Sequence, residues 1–156
     1  MSSEYNEAYL QTHDIDWFCR IGNTAMHFAS NGGALPKKVN NRVENSRIQH
    51  AVAMMEDSVT EPEQIRINAQ YVHARLGENV NPGALDRYVE SFVAMARKGF
   101  VSFDRVLEDD AYMWIAQPVN RVEVAIDGLP SYREDVCRRF ASEGDMVHVD
   151  CLNEEQ

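Results

Sequence analysis

Residues 14–30 have the sequence DIDWFCRIGNTAMHFAS, and this stretch decides the N-terminal part of the fold. Two runs with apolar and aromatic residues flank Gly22-Asn23, which is typical of a two-residue hairpin loop. With that loop, Cys19 lies opposite Met26 and Trp17 lies opposite Phe28. Directly opposed residues share a face of a sheet, so one face of this pair of strands is almost entirely apolar. The sequence therefore predicts a β-hairpin over residues 14–30 with one face in the core.

The other face of this hairpin is mixed and is our candidate surface for binding a partner. Phe18, Arg20 and His27 belong to it, and we expect them to form a partly exposed patch. Aromatic and arginine side chains are enriched at protein interfaces, which is why this face is the candidate. Cys19 and His27 lie on opposite faces, so we do not expect a cysteine–histidine nucleophile pair.

Residues 41–118 are expected to form helices followed by a second hairpin. Asn41 is spaced from Glu44 as in a capping box and predicts a helix start. Two alternatives remain for the next segment. Either one helical stripe runs through it, or a short strand over residues 65–67 precedes a helix that Asn68 caps.

The remaining patterns predict another helix, a hairpin and a C-terminal unit. Asn81 and Pro82 begin a helix that is followed by strands over 100–106 and 112–117. Alternating apolar residues predict further strands over 121–126 and 147–151, and between these strands Ser131 and Glu134 resemble another capping box. Residues 121–151 are thus expected to form a unit of βαβ length. The predicted fold class is α+β, with all 156 residues in a single compact domain.

Composition limits the classes of function. The chain is 44% apolar, which is sufficient for a buried core, and its net charge is −10. Residues 106–156 contain twelve acidic side chains against four arginines. Non-specific nucleic-acid binding is disfavoured, because neutralising phosphates requires clustered positive charge.

Location is predicted from the cysteines and the N-terminus. Three widely spaced cysteines favour a reducing compartment over a disulfide framework, although a Cys137–Cys151 bridge is an alternative. The polar, acidic N-terminus lacks the pattern of a secretory signal, and the apolar runs are too short to span a membrane. We therefore expect a cytoplasmic protein with no membrane association.

Motifs around two glycine-ended helices carry a family resemblance. Arg75-Leu76-Gly77 would end one helix, Asn81-Pro82-Gly83 would begin the next, and Arg97-Lys98-Gly99-Phe100-Val101 would enter a strand pair. In this order of elements, residues 65–118 resemble the winged-helix family, in which a helix, a turn and a second helix precede a two-stranded wing. The resemblance implies a DNA-binding regulator that acts through residues 81–105.

The residues that would then contact nucleic acid are Arg87, Ser91, Arg97, Lys98 and Arg105. Asp86 and Glu90 share the outer face of the same helix and would repel phosphates. DNA binding is therefore the alternative interpretation and not the main one.

Catalytic and metal-binding motifs are scarce. Asp14-x-Asp16 could bind a divalent ion, but so short a motif is frequent by chance, and a solvated strand start is favoured. His148 and Cys151 would point to opposite faces of a strand. We expect no metal site, no cofactor and no catalytic residues, and the chain is expected to be a non-enzymatic binding protein whose partner is another protein or a second copy of itself. A small enzyme whose site assembles only in three dimensions remains a further alternative.

Overall fold

The computed structural model describes residues 3–77, 79–106, 111–135 and 146–154. The helices whose ends lie within these ranges are α1 (Glu7–Thr12), α2 (Arg42–Ala53), α3 (Ala69–Leu76), α4 (Pro82–Arg97) and α5 (Val149–Glu154). The strands are β1 (Asp16–Ile21), β2 (Thr24–Ala29), β3 (Ile65–Ile67), β4 (Val101–Val106), β5 (Ala111–Pro118), β6 (Ser131–Tyr132) and β7 (Met146–His148). They form one mixed sheet in the order β3-β5-β4-β2-β1-β6, with β7 also paired to β5. The fold is α+β in a single compact domain, as the sequence predicts.

The N-terminal hairpin has the predicted register. Trp17 pairs with Phe28, and Cys19 pairs with Met26. Gly22 has φ +59°, the positive value that a type II′ turn requires at its first central position. Because the turn fixes the register, every side chain of the hairpin lies on its expected face.

The centre of the chain follows the alternative with the short strand. β3 precedes α3, and the Asn68 side chain accepts a hydrogen bond from the Tyr71 N–H at 3.4 Å. Asn41 and Asn81 cap α2 and α4 in the same way, at 3.1 and 2.8 Å. These caps satisfy N–H groups that have no partner within the helix, which explains why each helix begins where it does.

The predicted βαβ unit is wrong. Residues 121–126 form no strand, Ser131 belongs to β6 rather than to a helix cap, and Val149 begins α5 rather than continuing β7. β6 runs parallel to β1, whereas β7 runs antiparallel to β5. Residues 136–145, where most of the predicted helix would lie, are outside the described residues, and so is Cys137 of the suggested bridge.

Packing explains the alternating pattern over residues 121–126. Val124 is buried in a cluster with Phe18, and a Cβ on Gly99 would come within 2.9 Å of Val124. The Val124 carbonyl accepts a hydrogen bond from the Arg20 guanidinium. The segment therefore buries alternate side chains against the sheet and satisfies a backbone carbonyl with a side chain instead of a neighbouring strand.

Apolar clusters cover both faces of the sheet. One contains Trp17, Cys19, Phe28, Phe103 and Tyr112. On the opposite face, α2 and α4 contribute to clusters that include Phe18, Val52, Phe92, Phe100 and Ile115. Consequently the mixed face of the hairpin is also buried.

Within the described ranges, no helix combines the length and the apolar character that a bilayer crossing requires.

Candidate functional site

A cleft of about 500 Å³ lies between the N-terminal segment and α2. Tyr5, Tyr9 and His13 form one wall, and α2 forms the other wall through Ser46, Gln49 and Ala53. Asp14, Asp16 and Phe18 also line the cleft. We call this the α1–α2 cleft. Its lining combines polar and apolar side chains in similar proportion, and a concave surface of this kind can receive a ligand.

The N-terminal wall is a stack of three rings, with Tyr9 in α1 and Tyr5 and His13 beyond its two ends. The Tyr5 and Tyr9 centroids are 5.8 Å apart, and those of Tyr9 and His13 are 3.7 Å apart, with both pairs within 13° of parallel. The chain before and after α1 therefore places Tyr5 and His13 on the same side as Tyr9. Tyr5 is also fixed by a hydrogen bond from Asn45 Nδ2 to its hydroxyl at 3.1 Å. This wall is therefore preformed.

The Asp16 carboxylate is positioned by a chain of two buried polar side chains, in which His27 contacts Asp16 and Ser102 contacts His27. Asp16 Oδ1 is 2.8 Å from His27 Nε2, and His27 Nδ1 is 2.6 Å from Ser102 Oγ. A carboxylate only accepts hydrogen bonds, so Nε2 carries the proton and donates it to Asp16. In a neutral imidazole, Ser102 then donates to Nδ1. The three residues lie on β1, β2 and β4, which are adjacent strands.

Ser102, His27 and Asp16 are the residue types of a serine-hydrolase triad, but here the serine is buried and the aspartate is exposed. Ser102 is fully buried and His27 is 2% exposed, whereas the Asp16 side chain is 55% exposed. A nucleophilic hydroxyl must reach its substrate, and a buried one cannot. The chain of hydrogen bonds instead orients the aspartate toward solvent, which is the task of supporting groups in a binding site.

Further contacts fix the backbone that carries Asp16. Its carbonyl accepts hydrogen bonds from Asn45 Nδ2 at 3.0 Å and Gln49 Nε2 at 2.8 Å, both on α2. Asp14 Oδ1 accepts from the Asn31 N–H at 2.9 Å. Among the described residues, no hydrogen-bond donor contacts Oδ2 of either aspartate. Each therefore has one oxygen available to a ligand.

A second ionic cluster joins α3, α4 and β4. The Asp104 carboxylate accepts hydrogen bonds from the Tyr88 hydroxyl at 2.5 Å and from the Arg105 N–H at 2.9 Å, and Arg75 Nη2 is 3.2 Å from Asp104 Oδ2. Burial raises the pKa of Asp104, against the opposing effect of these donors. Burial, followed by the hydrogen bond to Asp104, raises the pKa of Tyr88. Asp104 is 4% exposed and does not line the α1–α2 cleft, so we assign the cluster a structural role.

The raised pKa of Tyr88 predicts a loss of stability at high pH. Above about pH 10 the unfolded chain releases this proton while the folded protein retains it. The stabilising contribution of the protonated Tyr88 hydroxyl is therefore complete below about pH 10. It is lost as the pH rises toward the pKa of Tyr88 in the folded protein, and the free energy of unfolding then falls by up to about 1.4 kcal/mol per pH unit. Urea unfolding between pH 8 and 11 should show a smaller decline for Tyr88→Phe than for the wild type. Tyr9→Phe, which alters an exposed tyrosine, is the control, and equal slopes for the wild type and Tyr88→Phe would contradict the prediction.

The structure corrects the exposed patch expected on the hairpin. Phe18 and His27 do lie opposite each other, with ring centroids 5.2 Å apart, but each is only 2% exposed. Arg20 is half-buried. A partly exposed patch is therefore wrong, because α2 and α4 pack over this face. His27 nevertheless reaches the α1–α2 cleft indirectly through Asp16, and the predicted role of these three residues in partner binding is untested.

Several basic residues of the DNA-binding alternative have internal contacts. Lys98 Nζ donates to the Val52 and Met55 carbonyls at 3.0 and 2.6 Å, next to the end of α2. Arg97 donates to the Thr60 carbonyl at 3.1 Å, and Arg105 donates to the Asn31 carbonyl at 3.3 Å.

The outer face of α4 carries the other two candidates. Ser91 is exposed, and Arg87 lines a groove together with Asp86 and Glu90. These acidic neighbours are the ones expected to repel phosphates. The winged-helix resemblance remains a prediction.

Sequence reasoning missed Tyr5, Tyr9, His13 and Ser102. The spacing of the three aromatic residues could have indicated a stacked helix face. No signal in the sequence could have found Ser102, because its contact with His27 depends on the parallel pairing of β2 with β4.

Neither protein-family models, nor curated proteins, nor solved structures give a match to the chain. Among the described residues, no group of three or more histidine, cysteine, aspartate or glutamate side chains could hold a metal ion. The site must therefore be interpreted from its own geometry.

Proposed function

We propose that this chain is a non-enzymatic binding protein whose α1–α2 cleft receives a lysine or arginine side chain of a partner protein. The observation that carries the proposal is the exposed Asp16 carboxylate, supported from below by buried His27 and Ser102. A carboxylate fixed in advance loses little conformational entropy when a cation binds, which favours affinity.

The shape and chemistry of the cleft complement a long cationic side chain. Met95 is partly exposed and lines the cleft above the almost fully buried Phe18 and Val52, while Asp14 and Asp16 supply negative charge. Lysine and arginine side chains bury an apolar stem and keep a charged head near polar groups. A charge-assisted hydrogen bond to the available Asp16 oxygen is among the stronger polar interactions in proteins.

The surface beside the cleft favours a protein over a small amine as the partner. Val43 and Met54 are 69% and 74% exposed, although both are large apolar residues. They are eleven positions apart, so Val43 and the C-cap residue Met54 lie on one stripe along α2 about 16 Å long, next to the α2 wall of the cleft. Exposed apolar side chains beside a polar pocket are typical of protein interfaces, and methionine adapts readily to a partner.

Overall charge supports the same kind of partner. The net charge of −10 would attract a basic segment and accelerate its association at low ionic strength.

The test is selection of binding peptides from a random display library on the immobilised full-length protein. We expect the selected peptides to share a lysine or arginine and to bind Asp16→Asn about tenfold more weakly than the wild type, because a charge-assisted hydrogen bond is lost. Replacing the shared basic residue of the peptide by norleucine should weaken binding similarly. Fluorescence anisotropy provides the dissociation constants.

Asp86→Asn is the matched control, since it makes the same change in net charge at an exposed position on α4 outside the cleft. It should bind the peptides like the wild type. Peptides without basic residues, or equal weakening by both substitutions, would overturn the proposal. Circular dichroism checks that Asp16→Asn is folded.

A further inference from the structure

A second and smaller pocket of about 270 Å³ lies on another side of α2. Lys38, Asn41, Glu44 and Asn45 contribute its polar lining, and Ile48 and Pro130 contribute apolar surface. We call it the Asn45 pocket. It shares no lining residue with the α1–α2 cleft.

Asn45 is the informative residue because its side chain is buried but only half satisfied. The residue is 2% exposed, and its Nδ2 donates to the Tyr5 hydroxyl and the Asp16 carbonyl, both of which belong to residues of the α1–α2 cleft. These two acceptors fix which atom of the carboxamide is nitrogen. Asn45 lines the Asn45 pocket and not the α1–α2 cleft, so Oδ1 faces this pocket, and no donor among the described residues contacts it. Because Oδ1 is not a fully buried atom, a molecule in the pocket can donate a hydrogen bond to it.

Asn41 supplies the complementary group one helical turn earlier. Its Oδ1 accepts from the Glu44 N–H as the cap of α2, which leaves the Nδ2 hydrogens without a partner among the described residues. Asn41 is the cap residue just before α2, and it lines the same pocket as Asn45. An amide group placed between the two side chains would donate to Asn45 Oδ1 and accept from Asn41 Nδ2.

The charges in the pocket favour a neutral ligand. Lys38 and Glu44 both line it and have opposite signs. Lys38 Nζ donates to the Ser131 carbonyl at 3.0 Å, and Glu44 Oε2 accepts from Arg47 Nε at 3.0 Å. A carboxylate or an ammonium ligand would gain from one of these residues and be repelled by the other.

We propose that the Asn45 pocket binds a small neutral molecule that carries a carboxamide. The ligand's N–H donates to Asn45 Oδ1, its carbonyl accepts from Asn41 Nδ2, and its apolar part contacts Ile48 and Pro130. This site is separate from the proposed function, so either can fail without the other.

The test is an NMR titration of the full-length, ¹⁵N-labelled protein with isobutyramide, and with isobutyrate and isobutylamine as charged molecules of matched shape. We expect the neutral amide to bind with a dissociation constant on the order of 10 mM, as suits a ligand of so few atoms. Its shifts should concentrate on the backbone and side-chain amides of Asn41 and Asn45 and on Gly128. Both charged molecules should bind at least tenfold more weakly.

Asn41→Ser separates ligand binding from folding, because serine is also a good helix cap but lacks the amide donor. It should weaken isobutyramide binding about fivefold to tenfold. Asn81→Ser makes the same change at the cap of α4, outside the pocket, and should bind like the wild type. Equal shifts with all three molecules, unchanged binding by Asn41→Ser, or no shifts at the pocket, which would mean that it holds water only, would each overturn the proposal.

Discussion

Trp17→Ala is expected to lower the free energy of unfolding by about 3–5 kcal/mol, because the change leaves a large cavity in a tightly packed core. Trp17 is fully buried. Its ring stacks on Phe28 with a centroid distance of 4.0 Å, and it meets Tyr112 edge-on at 5.5 Å. The indole N–H donates to the Tyr112 hydroxyl at 3.3 Å, so the substitution also removes this hydrogen bond.

Thermal and urea unfolding would measure this effect. For a domain of this size, a loss of about 3 kcal/mol lowers Tm by roughly 6–12 °C. Val43→Ala, at a position 69% exposed on α2, is the control and should change stability by less than about 0.5 kcal/mol. A loss below about 1 kcal/mol for Trp17→Ala would mean that the aromatic cluster does not contribute to the core as its geometry indicates.

The N-terminal hairpin was predictable because its information is local. The two-residue loop at Gly22 fixes which residues pair, and the alternation from Trp17 to Phe28 leaves one register that gathers the apolar side chains. The helix caps at Asn41, Asn68 and Asn81 were predictable for the same reason, since each contact lies within three residues of the cap.

The solvent exposure of the hairpin side chains was not predictable, because it depends on helices that are distant in the chain. Phe18 and His27 lie on a face whose sequence is mixed, yet α2 and α4 cover it. Arg20 does not indicate a solvent-facing strand, because its guanidinium reaches the Val124 carbonyl. A polar residue in a strand can therefore be satisfied within the core, and the alternation of residue types alone cannot distinguish this case from an exposed face.

The candidate site depends even more on distant contacts. The sequence indicates Asp16 only as part of a short acidic motif, and it indicates His27 only as part of a surface patch or of a disfavoured pair with Cys19. These residues form a candidate site only because β4 brings Ser102 next to His27. Ser102 and His27 then together position the Asp16 carboxylate. The Asn45 pocket has the same origin, because the two acceptors that orient Asn45 belong to Tyr5 and Asp16.

Asp104→Ala is expected to destabilise the protein by about 3–5 kcal/mol, because it removes one partner of a buried ion pair and leaves the other uncompensated. The Arg75 side chain is only 14% exposed and packs over Tyr88, with its guanidinium carbon 5.6 Å from the ring centroid. Without Asp104, the Arg75 guanidinium would retain its hydrogen bonds to the Tyr71 hydroxyl and the Arg105 carbonyl but would have lost its counter-ion. The Tyr88 hydroxyl would lose its acceptor as well.

A double substitution distinguishes a lost ion pair from a simple cavity. Replacing both charges by apolar residues of similar volume, as in Arg75→Met with Asp104→Leu, should recover most of the stability that Asp104→Leu alone loses, because no buried charge then remains unpaired. Asp86→Ala, at an exposed position on α4, should have little effect. Urea unfolding at neutral pH gives the coupling free energy between the two sites. If the effects of the two single substitutions simply add, the Asp104–Arg75 contact does not join α3 to β4, and the stability of that region must come from the apolar cluster around Val72 and Phe92.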